Sequence, residues 1–333
     1  RSQLLSEQCL CLPSALPSIR KENIEIVGDD PLMTVFRYGD GAKKPRPDGS
    51  GEYGTFNTAV IFIAGKDITL GNLTIESTAG PGYLAGQALA VYAAADRLSC
   101  YNCRFTGWQD TIFNGDPMTC NMKKLMLPDF FQASEVPIVH KFYRNYFKDC
   151  YVCGDVDYIF GPNTAFFDHC EIHSIARVSE EKAYITAAST PAGQEFGLIF
   201  SHCRITGEEP DSVYLGRPWR DCAKTAFICC ELGDHICPEG WQNWGKVRAE
   251  VLSDYIEYGN FGPGAAETVL RRREHDAVGT DIAAEAHYIL GDMPQRDERC
   301  PCLLPQQDDG AKPLVLIPGN HVLGLRHPDG CVV

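Results

Sequence analysis

Short runs of alternating apolar and polar residues recur along the chain, and six of them share one layout. Asn72-Leu73-Thr74-Ile75, Asn102-Cys103-Arg104-Phe105, Asp149-Cys150-Tyr151-Val152, His169-Cys170-Glu171-Ile172, His202-Cys203-Arg204-Ile205 and Cys229-Cys230-Glu231-Leu232 each open on a polar or small residue. Cys or Leu follows, then an outward residue, then a large apolar one. A period of two places the second and fourth positions on one buried face, as in a half-buried strand. Successive units begin 30, 47, 20, 33 and 27 residues apart, the uneven spacing of stacked coils interrupted by loops of different length. No capped amphipathic helix of 12 or more residues separates them, which disfavours alternating strand–helix units. The pattern predicts an all-β parallel solenoid in which each coil buries its inward residues on its neighbours. The cysteines then form an interior ladder, and the charged residues between them face solvent.

Some segments depart from this scheme. Residues 37–57, rich in Gly, Pro and Lys, read as a loop. Residues 114–140, with Pro117, Pro128 and Pro137, form an excursion expected to wall a groove. Residues 280–286 read as a short capped helix, and 293–333 as a loosely packed tail. The expected organisation is an unmatched segment over 1–18, a solenoid domain over 19–292 and the tail over 293–333.

Composition narrows the function. The chain has 333 residues, 44% of them apolar, ample for a large core. It contains no run of 18 apolar residues, so no membrane partner is expected. A net charge of −14 without a basic tract argues against nucleic acid. The 16 cysteines sit mostly in strand-like runs and read as reduced, packed thiols. The pairs Cys100/Cys103 and Cys150/Cys153 lie 46 residues apart, and residues three apart on a strand face opposite sides, so no metal is expected. Residues 1–18 show no charged-then-apolar leader, and a chain starting at Arg1 leaves localisation open.

Three stretches place polar groups inside apolar strands: Trp108-Gln109-Asp110-Thr111-Ile112-Phe113, Gly154-Asp155-Val156-Asp157-Tyr158-Ile159-Phe160-Gly161 and Tyr214-Leu215-Gly216-Arg217-Pro218-Trp219. Gly86-Gln87-Ala88-Leu89-Ala90 adds a second lone glutamine. Strict alternation puts Asp155, Asp157 and Ile159 on one face and Val156 and Tyr158 on the other. On neighbouring coils these residues compose a polar patch. Arg217 in a two-point fork would hold one carboxylate ionised and lower its pKa, while a second, lacking that partner, would be raised. One carboxylate then serves as nucleophile or base and the other as acid, with the amides as donors to an oxyanion. Read singly, each stretch favours a buried ion pair with amide ladders.

Taken together, WQDTIF, GDVDYIFG and YLGRPW, with GQALAV before them, resemble the signature motifs of the pectin methylesterases, over roughly Glu22 to Asp292. The resemblance implies a right-handed parallel β-helix and a carboxylic ester hydrolase that removes methyl esters from pectin (methyl-esterified homogalacturonan), releasing methanol without a cofactor. It implies Asp157 as nucleophile, Asp110 as acid/base, Gln109 and Gln87 as oxyanion donors and Arg217 as the group orienting Asp157. Substrate contacts are implied at Thr55, Phe160, set against the methyl group, and Trp219, set against a sugar ring. Asp155 is left a structural role. The expected protein is a monomer, and its substrate favours a secreted or cell-wall-directed one. The family's Gly-x-Tyr-x-Glu element is replaced by Ser18-Ile19-Arg20-Lys21-Glu22, so the first coil is expected to be incomplete. The alternatives are an inactive pectin-binding β-helix and another β-helix pectin-degrading enzyme, a lyase or glycosidase. The lyase lacks an acidic calcium cluster beside a base, and the glycosidase contexts differ. A serine esterase would need a G-x-S-x-G elbow, which is absent. The net charge predicts general repulsion of the polyanionic product and hence its release.

Overall fold

The computed structural model describes residues 18–115, 140–177, 179 and 181–265, and the backbone of 314–315. Three parallel sheets of seven, nine and seven strands enclose one core. The first sheet runs from Ser18–Ile19 through Ile61–Ile63, Val91–Ala93, Ile112–Asn114, Val156–Gly161 and Ala183–Ala188 to Val213–Gly216. The second runs from Glu22–Val27 to Asp254–Tyr258, and the third from Val35–Tyr38 to Glu231–Leu232. Each coil gives one strand to each sheet, the parallel β-helix expected from the repeat. Ser18–Ile19, Glu22–Val27 and Val35–Tyr38 already supply all three strands, so the first coil is complete, contrary to expectation. Leu314–Val315 pairs with Ile26 and Val27 as an edge strand of the second sheet. The rest of the tail, the helix expected over 280–286, the excursion over 116–139 and residues 1–17 lie outside the described residues.

The opening position of each repeat unit now has a physical reason. Asn72, Asn102, Asp149, His169, His202 and Cys229 all have φ between 49° and 52°. Each makes a one-residue corner between the second and third sheets in the left-handed region, which Asn, Asp and His enter more readily than most residues. Like side chains stack from coil to coil: Asn102 Nδ2 donates to Asn72 Oδ1 at 2.9 Å, and the rings of His169 and His202 lie 5.1 Å apart.

The cysteines follow each corner into the core. Cys150, Cys170, Cys203 and Cys230 are buried and point their thiols at carbonyls of the preceding coil, at 3.3–3.5 Å. All ten cysteines among the described residues are free thiols. Burial pushes Cys100, Cys103, Cys150, Cys170 and Cys203 well above the ordinary thiol range, which leaves them inert small hydrophobes. Beside them Phe147, Phe167, Phe200 and Phe227 stack at 4.4–4.7 Å.

One interior group is held against its charge preference. His235 is 1% exposed, and among the described residues neither ring nitrogen has a hydrogen-bond partner. A Cβ at Gly207 would collide with its ring, so glycine there lets the coils close. Burial pushes its pKa down from 6.5 to about 4, with His173 adding and Asp234 opposing. Between these values the unfolded chain binds a proton that the native chain refuses. The contribution is therefore full above about pH 6.5 and is lost as pH falls toward 4, by up to roughly 3 kcal/mol. Chemical denaturation across this window is expected to show the loss, and His235→Phe to flatten it; equal pH dependence in both proteins would refute the assignment.

Candidate active site

The outer face of the first sheet carries a second, aromatic cluster. Phe62, Tyr92, Phe113 and Phe160 follow one another in register across adjacent strands, and Phe56 covers them at 5.0 Å from Phe113. Phe56 belongs to the short 3-10 turn Thr55–Asn57, which places Thr55 beside this cluster, partly exposed. Residues 39–54 are a loop, as expected, although Arg37 and Tyr38 still belong to a strand. That loop docks on the Gln87 coil, where Ala42 N donates to Gln87 O at 2.8 Å.

Across this face the coils align the polar residues. Ala88 N donates to Gln109 O at 3.1 Å, which sets Gln87 and Gln109 on neighbouring coils. Asp110 N donates to Val156 O at 3.0 Å and Asp155 N to Trp108 O at 3.2 Å, so Gln109 and Asp110 lie beside the next coil's aspartates. A Cβ at Gly82 would collide with the side chain of Gln109, so a glycine there leaves the carboxamide its place.

Asp157 reaches the outer face of the first sheet by breaking the alternation that predicted its face. The strand Val156–Gly161 pairs Val156 with Tyr184 but Ile159 with Thr186, three steps against two, and Asp157 sits in this bulge at φ 50°. Tyr158 and Ile159, adjacent in sequence, therefore both enter the core. Asp157 does not share the face of Ile159, as strict alternation required; it turns outward to Arg217. Asp155, 4% exposed, accepts the amide of Val156 at 2.8 Å and shapes the bend, the structural role expected of it.

Arg217 Nε and Nη2 donate to Asp157 Oδ1 and Oδ2 at 2.8 and 2.6 Å, the two-point fork anticipated from sequence. The guanidinium is also held between two rings, its carbon 3.8 Å from the centroids of both Tyr184 and Trp244. Trp219 is half-buried, 5.7 Å from Phe160. Phe160 is 3% exposed and packs against Trp219 and Phe113.

The two carboxylates differ as a working pair must, though not for the reason anticipated. Asp110 is pushed well above the usual carboxylate range by burial first, then by the charges of Asp157 and Asp155, with Arg217 opposing. Burial also raises Asp157, and the fork with Arg217 only moderates the rise. The expectation that Arg217 would bring Asp157 below its ordinary value is not met, because desolvation of a carboxylate 6% exposed outweighs the pairing. The order survives: Asp110 keeps its proton to higher pH, and Asp157 is the readier anion.

Tyr184 and Trp244 were not anticipated from sequence. The pair of tryptophans in Trp241-Gln242-Asn243-Trp244, within a polar loop after the arginine motif, was the available signal. Trp241 went inward, stacked on Tyr255 at 4.3 Å, and Trp244 outward onto Arg217. Among the described residues no group of three or more His, Cys, Asp and Glu is placed to hold a metal ion.

Comparison with known proteins agrees with this fold. The sequence model of the family described as Pectinesterase matches residues 17–116 and 133–282. Pectinesterase 31 of Arabidopsis thaliana is 32% identical over 289 residues, covering 85% of this chain and 80% of that protein. Probable pectinesterase/pectinesterase inhibitor 58 of the same organism is 32% identical over 70% of this chain, which spans 38% of its length. Among solved structures, the pectin methylesterase from carrot is 26% identical, with a TM-score of 0.60 over 76% of this chain and 73% of that one. Pectin methylesterase PemA from Erwinia chrysanthemi is 25% identical, with a TM-score of 0.65 over 83% and 85%. The three sheets accordingly form a right-handed parallel β-helix.

Proposed function

The chain belongs to the pectinesterase family, and from that premise we propose that it hydrolyses the methyl esters of pectin with Asp157 as nucleophile and Asp110 as acid and base. The observation that carries this reading is the forked Asp157 beside a buried, raised Asp110. An oxygen of Asp157 attacks the ester carbonyl carbon, and the carbonyl oxygen takes the negative charge. The amides of Gln109 and Gln87, on adjacent coils, are suited to donate to that oxyanion. Asp110 gives its proton to the methoxy oxygen as the C–O bond breaks, and methanol leaves an acyl group on Asp157. Water then attacks the acyl carbon, Asp110 takes its proton, and Asp157 departs as a carboxylate held by Arg217. Trp219 and Trp244 offer flat apolar surface to the sugar rings, and Thr55 a polar contact beside the groove. The chain acts as a monomer, without a cofactor and without a nucleic-acid or membrane partner.

Methanol release from highly esterified pectin is the direct test, and its absence would favour a binding protein. The pH profile adds a second. Asp157 must be charged, so activity is lost as pH falls through its raised pKa, placing the acid limb above the ordinary aspartate range of about 3.9. Asp110 must be protonated for the first step, so activity is lost again at higher pH as it ionises. A profile flat from the ordinary aspartate value upward would contradict these assignments.

A further inference from the structure

Three residues of the first repeat unit compose a signal that the chemistry of the groove leaves unused. Of the chain's 11 asparagines, only Asn72 is followed two positions later by Ser or Thr, in Asn72-Leu73-Thr74, with no proline between. This is the acceptor sequence for an N-linked oligosaccharide, which needs a surface position in the folded chain. The fold supplies one. Asn72 makes the corner between the second and third sheets, at φ 51°. Each coil passes through the three sheets in turn, so that corner lies opposite the first sheet, which carries Asp157. A sugar chain there stays clear of the groove. Asn72 Oδ1 accepts from Asn102 Nδ2 at 2.9 Å on the exposed surface, whereas Asn72 Nδ2 has no partner among the described residues. A substituent on that nitrogen leaves the carbonyl oxygen its acceptor role, so the bond from Asn102 persists. Thr74 is buried; its hydroxyl donates to Pro31 O and its N–H to Thr34 O, which fastens the turn over residues 28–34 against the corner. On this turn Leu32 and Met33 stand 70% and 64% exposed, adjacent apolar tips beside the acceptor asparagine.

We propose that Asn72 carries an N-linked oligosaccharide in chains that enter the endoplasmic reticulum, and that this glycan covers the apolar turn bearing Leu32 and Met33. The donor is an oligosaccharide held through its anomeric carbon on a lipid pyrophosphate. The amide nitrogen of Asn72 forms a bond to that carbon as the carbon–oxygen bond to the pyrophosphate breaks. The pyrophosphate leaves with the electron pair, and the nitrogen gives up one proton. Transfer takes place on the extended chain, so the later burial of Thr74 does not compete with it. The exposed corner then leaves room for the sugar as the coils close. Mass and mobility report the modification whether or not the groove hydrolyses esters.

The full chain is translated behind a secretory leader with endoplasmic reticulum microsomes. Protease-protected, lumenal chains are then compared for the parent, Asn72→Asp, Thr74→Ala and Thr74→Ser. The parent is expected to run as a heavier band that peptide:N-glycosidase collapses, leaving aspartate at position 72 in its tryptic peptide. The shift is expected to be lost in Asn72→Asp and Thr74→Ala and kept in Thr74→Ser, which retains the hydroxyl. Because transfer precedes folding, a variant that folds poorly still reports. Aspartate also keeps an oxygen for Asn102 and tolerates the left-handed corner. Lumenal parent chains without the shift, or a shift that survives Asn72→Asp, overturn the site. Removing the glycan from the secreted protein is expected to raise light scattering on concentration, as Leu32 and Met33 are bared, and unchanged scattering overturns the covering role.

Discussion

Replacing Asp157 with asparagine is expected to reduce methanol release to below ~1% of the parent, because the attacking carboxylate is lost while one of the two bonds from Arg217 and the packing around it can persist. The amide oxygen of asparagine still accepts from Arg217, and the guanidinium remains held between Tyr184 and Trp244. The bulge is no obstacle, since Asn tolerates the left-handed conformation that Asp157 adopts at φ 50° as readily as Asp does. Removing a buried charge also removes the desolvation that raised the Asp157 pKa, which offsets part of the lost ion pair. A cooperative melt with near-parental circular dichroism should therefore accompany the loss of activity. Turnover above a few per cent in a folded variant would assign the nucleophile elsewhere.

Substituting lysine for Arg217 is expected to lower turnover at least tenfold, on the order of 1.4 kcal/mol in the barrier, while the thermal midpoint moves by only a few degrees. Lysine keeps the positive charge opposite Asp157 and can still lie near the two rings. It cannot make two parallel hydrogen bonds, nor fill the flat slot between rings whose centroids each lie 3.8 Å from the guanidinium carbon. A nucleophile freed to shift by even ~1 Å can lose about 100-fold in rate. Turnover on methyl-esterified pectin is measured beside the melting curve. Parental turnover would show that charge balance suffices, and a collapsed melt would show that Arg217 chiefly holds the coils together.

The sequence by itself determined the fold class and nominated the residues of the proposed site. Alternation with a period of two marked the inward cysteines and the large apolar residues beyond them, because side chains on a strand must face one way or the other. Gln87, Gln109, Asp110, Asp157 and Arg217 were legible because amides and charges inside apolar runs are costly unless they work together. The corner residues were visible as a pattern, but only the structure supplied the cause, a shared left-handed turn from Asn72 to Cys229. Tertiary structure alone decided which way Asp157 points. One extra residue between Val156 and Ile159 turns Asp157 out and sends Tyr158 and Ile159 in together, and a bulge depends on pairing with the strand Ala183–Ala188, far away in sequence. It also decided that Phe160 lies against Trp219, that Trp244 rather than Trp241 closes on Arg217, and that burial rather than the fork sets the direction of the Asp157 pKa. Each of these depends on what other coils bring to within a few ångströms, and water displaced by distant residues leaves no local mark on the chain.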